Sequence, residues 1–329
     1  MILVAGLSPA WQQILVFDDF QIGEVNRACQ ALWCGSGKVL NVALALAHLN
    51  RGASDASRRC HVLSTLSGPP ARQIDAEFAA LAIDRTWIET QSPTRVCTTI
   101  LEPTTQTTTE LVENAGPITA EEWQAFLNAY GRLAKDAKFV VLTGSLPPGA
   151  PVSAYRELLE ATSCPALLDV RGPELLDALQ ARPLVVKPNF EELGKTFPDL
   201  VHAHAEIGFM ASDRDHGRIA AIQELRRRGA EWVVITEGPG AVWVAGPEGV
   251  TRLQPPQIAP VNPIGSGDTF AAGMAWSLAG GSNMLAAVRI GIAAAAENAL
   301  QLLPGRVELE QVRARANLIT LEHVTLASA

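Results

Sequence analysis

Short apolar runs alternate with helical patterns along most of this chain. Helices of about ten to fifteen residues between such runs form βαβ units, which build a parallel sheet covered on both faces. The predicted strands are 1–7, 60–65, 139–142, 166–170, 184–186 and 232–236, and the predicted helices are 38–49, 71–81, 152–161, 214–228 and two alanine-rich helices within 269–303. The sequence therefore predicts an α/β fold with a doubly wound, mainly parallel sheet in a three-layer sandwich.

Two segments interrupt this alternation. Residues 14–20 continue into 27–33, and residues 94–101 precede a threonine-rich stretch at 104–111. Both segments carry alternating polar and apolar side chains, a pattern typical of paired strands with one exposed face. We expect a small exposed sheet, with strands within 12–34 and 94–113, attached to a single domain that spans 1–329.

Composition limits the classes of function. The net charge is −8, and no basic run could neutralise a nucleic-acid backbone or an anionic membrane. The longest uncharged stretch, 270–288, contains a Gly-Gly-Ser-Asn turn, so it predicts two helices rather than a membrane span. The five cysteines are scattered and odd in number, which favours a reducing compartment. We expect a cytoplasmic protein that binds neither nucleic acid nor membranes.

The run Gly265-Ser266-Gly267-Asp268 directly precedes a predicted helix. Small residues leave main-chain N–H groups free to point at one spot, and a helix N-terminus attracts anions through these groups and its macrodipole. Asp268 is either a helix N-cap or a general base beside a phosphoryl group. The residues of this run alone leave both interpretations open.

Lys38 and Asn41 stand at the start of a predicted helix, after a Gly-Ser-Gly turn. A Walker A loop requires Gly where Leu32 stands, and Ser or Thr where Val39 stands. Gly265 and Gly267 do not extend to a dinucleotide fingerprint either, because position 270 is Phe. Neither common phosphate-binding motif explains these glycines.

Lys187 and Asn189 directly follow the predicted strand 184–186. Open α/β sheets bind ligands at the carboxyl edge of their strands, so a Lys-Pro-Asn turn is well placed for an anionic ligand. The alternative for Lys187 is an ordinary surface lysine. From the residues alone, Glu192 is explained as a first-turn charge that complements the helix dipole.

Seven segments, in order along nearly the whole chain, resemble motifs of the ribokinase-like, phosphofructokinase B-type carbohydrate kinases. The resemblance is greatest to their 1-phosphofructokinase and tagatose-6-phosphate kinase branch. The segments are 23–27, 37–43, 94–95, 144–149, 187–193, 236–238 and 261–273. Similarity to this family implies its fold, in which the small sheet is a lid over the sugar site.

The resemblance also implies roles for the candidate residues. Asp268 takes the proton of the acceptor hydroxyl, while the N–H groups of Gly265, Ser266, Gly267 and Asp268 hold the transferred phosphoryl group. Glu192 acts on Mg²⁺ through water, which suits a cation that keeps much of its hydration shell. The implied ATP-binding residues are Lys187, Asn189, Thr236, Gly238, Gly265 and Gly267. ATP and Mg²⁺ are the cofactors that follow.

On the sugar side, the resemblance indicates a phosphorylated acceptor. In the similar branch a Thr-Arg pair, here Thr94-Arg95, binds the phosphate already on the sugar, a task that suits the guanidinium fork. From the residues alone, Arg95 is equally well explained as a solvated strand residue. The other substrate-binding positions that the resemblance implies are Gln12, Asn26, Lys38, Asn41 and Ser145.

The departures from the family pattern lie on the sugar side. Where the family commonly has Asn-Pro-Ala-x-Asp, this chain has Ser-Pro-Ala-Trp-Gln, so Gln12 offers one acceptor and an amide donor instead of a carboxylate. Ser36 and Val39 replace glycines of the usual Gly-Gly-Lys-Gly. We expect Val39 to add bulk beside the substrate and Trp11 to form an aromatic wall.

The leading hypothesis is an ATP-dependent kinase for a hexose phosphate of the fructose 1-phosphate, fructose 6-phosphate or tagatose 6-phosphate type. One alternative keeps the fold but takes an unphosphorylated sugar or a nucleoside as acceptor. Another is a non-catalytic protein that binds a sugar or a nucleotide. The implied partners are a sugar or sugar phosphate, ATP and, through the lid, a second copy of the chain.

Overall fold

The computed structural model describes residues 1–51, 56–202 and 211–324. Its strands are β1 (Ile2–Gly6), β2 (Ala10–Val16), β3 (Gln30–Ser36), β4 (Cys60–Thr65), β5 (Asp84–Ile88), β6 (Arg95–Glu102), β7 (Thr107–Val112), β8 (Phe139–Thr143), β9 (Ala166–Asp169), β10 (Val185–Val186), β11 (Trp232–Ile235), β12 (Val242–Gly246), β13 (Gly249–Gln254) and β14 (Thr320–Val324). Its α-helices are α1 (Lys38–Leu49), α2 (Ala71–Ala80), α3 (Ala120–Leu133), α4 (Ala154–Glu160), α5 (Gly172–Ala178), α6 (Phe190–Thr196), α7 (Pro198–His202), α8 (Ala211–Arg228), α9 (Ser266–Ala279), α10 (Met284–Ala299) and α11 (Leu309–Ala316).

Ten strands form the main sheet, in the order β14-β13-β12-β11-β10-β9-β8-β1-β4-β5. Neighbours from β11 to β5 are parallel, whereas β12, β13 and β14 extend the sheet as antiparallel strands. Because the parallel strands all run in one direction, their carboxyl ends meet at a single edge of the sheet.

Helices cover both faces of this sheet. Ile2 and Val4 contribute to a core cluster with α1, α9 and α10, while Leu3 and Ala5 contribute to a second cluster with α3, α4 and α8. Successive side chains of a strand point to opposite faces, so one strand supplies both clusters. The predicted three-layer α/β fold is confirmed. Among the described helices, none is both long and apolar enough to cross a membrane.

A second sheet of four strands, in the order β3-β2-β6-β7, forms the lid. Its central pair β2 and β6 is parallel, and the two outer pairs are antiparallel. Strand β2 ends at Val16 rather than at residue 20 as expected, and the aspartates of an Asp-Asp turn follow it. The register places Gln12, Arg95 and Cys97 on one face of the lid and Trp11 and Trp33 on the other.

Several elements lie outside the sequence-based prediction. Helix α3 begins with a capping box between Thr119 and Glu122, a signal already readable as Thr-x-x-Glu before an apolar run. Strands β12 and β13 flank a short Gly-Pro-Glu-Gly connection, a pattern typical of a hairpin. Helix α9 begins at Ser266 rather than at 269, so the Gly-rich run supplies its first turn.

Candidate active site

A cavity of about 680 Å³ lies between the carboxyl edge of the main sheet and the lid. It brings together most residues that the sequence selects: Gln12, Lys38, Asn41, Arg95, Ser145, Lys187, Asn189, Glu192, Thr236, Gly265, Ser266, Gly267 and Asp268. Gly238 lines an adjoining groove of about 600 Å³, which shares Asn189 and Thr236 with the cavity. Asn26 is absent from the described lining, because its amide bonds with Gln21 and Glu24 inside its own loop.

Asp268 lies in the first turn of α9, at the bottom of the cavity. Gly265 precedes this helix in a left-handed conformation (φ 78°), and a Cβ there would lie 2.8 Å from the Cβ of Pro304, so only glycine fits without strain. The carboxylate is 7% exposed, and its Oδ2 accepts a hydrogen bond of 2.8 Å from Asn41 Nδ2. The starts of α1 and α9 therefore position the carboxylate jointly.

The N-terminus of α9 presents unpaired donors beside this carboxylate. Within the described part of the chain, the N–H groups of Gly265, Gly267 and Asp268 donate to no protein acceptor. The N–H of Ser266 differs from the expectation, because it donates to the Pro263 carbonyl at 3.2 Å. Three of the four expected donors are thus available to an anion.

Asn298 in α10 fixes the conformation of the run, a role that the sequence analysis missed. Its Nδ2 donates to Ile264 O (3.0 Å) and Ser266 Oγ (3.1 Å), and its Oδ1 accepts from Thr269 Oγ1 (3.1 Å) and Gly305 N (2.7 Å). The side chain is fully buried, so all its bonds are with protein. A buried amide with four protein bonds holds the loop in one shape before any ligand arrives.

The environment of Asp268 favours proton uptake. Burial, together with the charge of Asp169, raises the pKa of its carboxyl to about 6. Lys38, the Asn41 hydrogen bond and Lys187 oppose this rise. A carboxylate with a pKa near 6 is ionised at neutral pH and still basic enough to accept a proton.

Two lysines and two carboxylates form a cluster across the floor of the cavity. Asp169 Oδ1 lies 3.2 Å from both Lys38 Nζ and Lys187 Nζ, and Glu192 Oε1 lies 2.8 Å from Lys38 Nζ. Asp169 and Lys187 are 1% and 2% exposed. The sequence analysis missed Asp169, although a carboxylate at the carboxyl end of an apolar strand is itself a signal.

Glu192 stays ionised although it is buried. Burial favours its neutral form, but Lys38, Lys187 and the N–H of Asn189 lower its pKa to about 2. Its Oε2 accepts from Asn189 N at 3.0 Å, while Asn189 Oδ1 accepts from Glu192 N at 2.7 Å. This capping box begins α6 and fixes both side chains at the edge of the sheet.

Two carboxylates of the cluster offer oxygen ligands for a magnesium ion, although among the described residues no group of three or more His, Cys, Asp or Glu side chains is placed to hold a metal ion by itself. Asp169 Oδ2 is buried and has no hydrogen-bond partner among the described residues. Both oxygens of Glu192 already accept hydrogen bonds. Hard oxygen donors of this kind, supplemented by water, are the ligands that Mg²⁺ prefers.

The lid supplies the opposite wall of the cavity. Gln12 is 2% exposed, and its Nε2 donates to Thr99 Oγ1 at 2.7 Å. Arg95 is half-buried and donates to three main-chain carbonyls, those of Glu113 (3.0 Å), Pro9 (3.4 Å) and Ser8 (3.4 Å). No carboxylate of the described chain forms an ion pair with this guanidinium. Its charge remains available to an anion.

Two expectations about specificity need correction. Val39 is 1% exposed and belongs to the core, where it packs close to Gly6 rather than beside a ligand. Trp11 is on the outer face of the lid, the face turned away from the cavity, where it stacks on Trp33 with 6.0 Å between ring centroids and packs against the main hydrophobic core. Ser36 does line the cavity. Of the departures, Gln12 and Ser36 can therefore contact a ligand there.

Comparison with known proteins finds one matching family and several similar structures. The profile of a family described as pfkB family carbohydrate kinase matches residues 15–306. The chain is similar to phosphofructokinase-2 from Escherichia coli, solved with fructose-6-phosphate and as a tetrameric inhibited form. Both structures have TM-score 0.80 and 21% identity, covering 96% of this chain and 98% of the other.

Two proteins of Thermotoga maritima have similar structures. One is described as a possible 1-phosphofructokinase, with TM-score 0.82 and 21% identity over 98% of this chain and 99% of the other. The other is a ribokinase, with TM-score 0.73 and 18% identity over 96% and 99%. At such identities the likeness concerns the fold.

Proposed function

The chain belongs to the pfkB family of carbohydrate kinases, and we propose that it transfers the γ-phosphoryl group of ATP to a hydroxyl of a hexose phosphate. The acceptor is of the fructose 1-phosphate, fructose 6-phosphate or tagatose 6-phosphate type. One observation carries the proposal: within the described part of the chain, the buried carboxylate of Asp268 adjoins free helix N–H groups in a cavity where Arg95 has no carboxylate partner.

Asp268 takes the proton of the attacking hydroxyl. Asn41 donates a hydrogen bond to one carboxylate oxygen of Asp268 and so fixes the orientation of the side chain. The other carboxylate oxygen accepts the proton. The N–H groups of Gly265, Gly267 and Asp268 stabilise the charge of the transferred phosphoryl group. Such preorganised donors need no rearrangement during the reaction.

The nucleotide lies along the carboxyl edge, from the cavity into the adjoining groove. Thr236 and Asn189 line both spaces, and Gly238 lines the groove. Lys187 provides a buried positive charge for the phosphates, and Glu192 with Asp169 would hold Mg²⁺, in part through water. Bound Mg²⁺ supplies neutralisation of the phosphate charge.

The acceptor phosphate binds at the lid. Arg95 is on the same face of the lid as Gln12, and Ser145 lines the cavity beyond the end of β8. A guanidinium fork matches two phosphate oxygens and makes charge-assisted hydrogen bonds. The family relatives solved with or named for fructose phosphates support this choice of acceptor.

A second copy of the chain covers the outer face of the lid in our proposal. This face carries Trp11, Trp33 and Leu111, and the last two are 46% and 56% exposed. Large apolar side chains grouped on one exposed face are typical of an association surface. Sedimentation of the wild type and of the Trp33→Glu and Leu111→Glu variants tests this association. A wild-type dimer that dissociates in the variants supports it, and a monomeric wild type rules it out.

The proposed reaction is tested by measuring ADP release with a panel of ketohexoses, their 1- and 6-phosphates, and nucleosides. We expect a ketohexose phosphate to give the highest kcat/KM and to require Mg²⁺. A preference for an unphosphorylated sugar or a nucleoside would support the alternative acceptor classes. Absence of ADP release from every acceptor, with ATP still bound, would support a non-catalytic binding protein. The cytoplasmic location stays a prediction.

A further inference from the structure

Four cationic side chains line the described cavity, and they differ in their partners. Lys38 and Lys187 form ion pairs with Asp169, and Arg95 donates to main-chain carbonyls. Arg171 lines the same cavity and forms neither a hydrogen bond nor an ion pair within the described part of the chain. Among the described residues, Arg171 is therefore the cavity cation that has no ion-pair or hydrogen-bond partner to release before it binds an anion.

The backbone directs Arg171 into the cavity. Asp169 ends β9, and Arg171 follows two residues later with extended dihedrals (φ −140°, ψ 172°). Both residues line the cavity, so Arg171 shares the side of Asp169. The two differ in depth, because Asp169 is almost fully buried while Arg171 is exposed at the mouth.

The neighbouring strands place Ser145 and Arg95 on the same side of the mouth. Thr143 of β8 pairs with Asp169 of β9, so the chain segments that lead to Ser145 and Arg171 leave the sheet side by side. Beyond β8 comes β1, and Arg95 donates to the carbonyl of Ser8, just after β1. Ser145 therefore follows β8, which lies between β9, the strand before Arg171, and β1, the strand before the carbonyl that Arg95 contacts.

The spacing suits one phosphate group. Neighbouring strands lie about 4.8 Å apart, so Arg171 and Ser8 leave the sheet roughly 10 Å apart, with Ser145 between them. Two guanidinium groups on opposite sides of a phosphate need a gap of this order, and each fork can donate to two oxygens.

We propose that Arg171 is the second arginine for the phosphate of the acceptor, which it binds together with Arg95 and Ser145. This inference rests on the proposed function, since it concerns the acceptor of that reaction. Depth favours the acceptor over ATP. The reacting hydroxyl must reach Asp268 at the bottom of the cavity, so a phosphate at the far end of the same sugar lies near the mouth. Arg171 is at the mouth, whereas Lys187 serves the deep end.

The first experiment measures binding without turnover. Calorimetric titration of fructose 1-phosphate, fructose 6-phosphate, tagatose 6-phosphate and unphosphorylated fructose into wild type, Arg171→Ala and Arg171→Lys needs no ATP. The matched control is Arg132→Ala, because Arg132 is exposed on α3 and outside the cavity lining. We expect Arg171→Ala to raise Kd for the best sugar phosphate by at least about tenfold and to leave fructose unchanged. Arg171→Lys should raise this Kd by a smaller factor, and Arg132→Ala should leave it unchanged.

The second experiment separates the two substrates kinetically. Arg171→Ala should raise KM for the acceptor by a similar factor, with KM for ATP and kcat changed by less than about twofold. A raised KM for ATP, or a lower kcat with unchanged acceptor KM, would overturn the proposal and assign Arg171 to the donor.

The two experiments also distinguish this inference from the proposed function. If wild type binds sugar phosphates but transfers nothing to them, the proposed kinase reaction fails while the calorimetric comparison still decides the role of Arg171. If transfer occurs and Arg171→Ala binds the acceptor as tightly as wild type, the role of Arg171 fails alone. If wild type binds no sugar phosphate, both fail.

Discussion

The two ends of the cavity differ in whether their charged side chains are paired within the protein. At the deep end, Lys38 and Lys187 share Asp169, and the Asp268 carboxylate bonds with Asn41. At the lid, Arg95 has only main-chain carbonyls as acceptors, and at the mouth Arg171 has no protein partner in the described chain. Side chains that are paired with one another are held in position before a ligand binds. An arginine without a carboxylate partner forms its ion pair only when an anionic ligand binds.

This difference follows from burial. An unpaired charge at the deep end would incur a large desolvation cost, so each ion there has a counterion or a hydrogen bond. Half-exposed arginines remain partly solvated and can stay unpaired. We therefore expect changes at the deep end to affect turnover and stability, and changes at the lid to affect mainly the choice and affinity of the acceptor.

The largest effect is expected for Asp268→Asn, which should lower kcat by about 10²–10⁴-fold because the amide cannot accept the hydroxyl proton. Measurement of ADP release checks this, and nucleotide binding should persist. Burial raises the pKa of Asp268 in the folded protein to about 6, above its ordinary value of 3.8. Ionisation of this carboxylate therefore lowers the free energy of unfolding as pH rises towards 6, and the full loss is present above that pH. The variant should thus unfold at an equal or higher urea concentration at pH 7.5. More than a tenth of the wild-type kcat would contradict the base assignment.

Asp169→Asn tests whether the deep end is held by its ion pairs. Removing the carboxylate leaves Lys187, which is almost fully buried, without its counterion, and breaking such a pair costs about 3–5 kcal/mol in the free energy of unfolding. Asp177→Asn is the matched control, since Asp177 pairs with Arg156 where both side chains are partly solvated, and should cost about 1 kcal/mol or less. If urea unfolding showed equal losses in the free energy of unfolding for Asp169→Asn and Asp177→Asn, the ion pairs of the deep end would be no more important to stability than a partly solvated pair.

Arg95→Ala should act at the lid end alone. Loss of charge-assisted hydrogen bonds to the acceptor phosphate should raise KM for that acceptor by about 10–100-fold, with KM for ATP almost unchanged. Initial rates with the phosphorylated and unphosphorylated forms of one sugar check it. An equal effect on both forms would mean that Arg95 does not bind the acceptor phosphate.

The pH dependence of kcat/KM reports on the deep end. Protonated Asp268 cannot accept a proton, so activity should fall as pH falls through about 6, by about tenfold per unit below it. Glu192, with its pKa lowered to about 2, stays ionised throughout and adds no limb in this range. A flat profile between pH 5 and 7, with the protein still folded, would contradict the assignment.

Gln12→Asp should give the smallest effect, a severalfold rise in kcat/KM for ordinary fructose phosphates relative to the best acceptor of the wild type. The carboxylate can accept hydrogen bonds from two sugar hydroxyls, whereas the amide offers a single acceptor oxygen. Gln13→Asp is the matched control, because Gln13 is on the face of the lid turned away from the cavity and is outside the cavity lining. An unchanged ranking of acceptors in Gln12→Asp would exclude Gln12 from the specificity determinants.

Local patterns carried much of the fold. The alternation of apolar strands and amphipathic helices predicts the parallel sheet, because both periods follow from the geometry of a single element. The run from Gly265 to Asp268 predicts a helix start with free N–H groups on the same grounds, and α9 begins there. The hairpin of β12 and β13 also has a local signal, the Gly-Pro-Glu-Gly connection, but the sequence analysis did not predict it.

Orientation was decided by the tertiary structure. Lys38 and Asn41 are three residues apart and share one face of α1, which leaves Val39 on a face that packs into the core. The sequence lists Trp11 and Gln12 as neighbours, yet strand alternation separates them, and only packing of the lid selects which one faces the ligand.

By itself, the sequence determined the alternation of strands and helices and the family motifs, because these depend on residues close together in the chain. Only the tertiary structure decided the partners of the charges: Asp169 meets Lys38 across more than a hundred residues, and Asn298 meets Ile264 from another helix. Burial then raises the pKa of Asp268, whereas Arg171 is exposed at the mouth and has no partner within the described part of the chain. A pKa and an ion pair depend on what surrounds a group in space, which no local pattern contains.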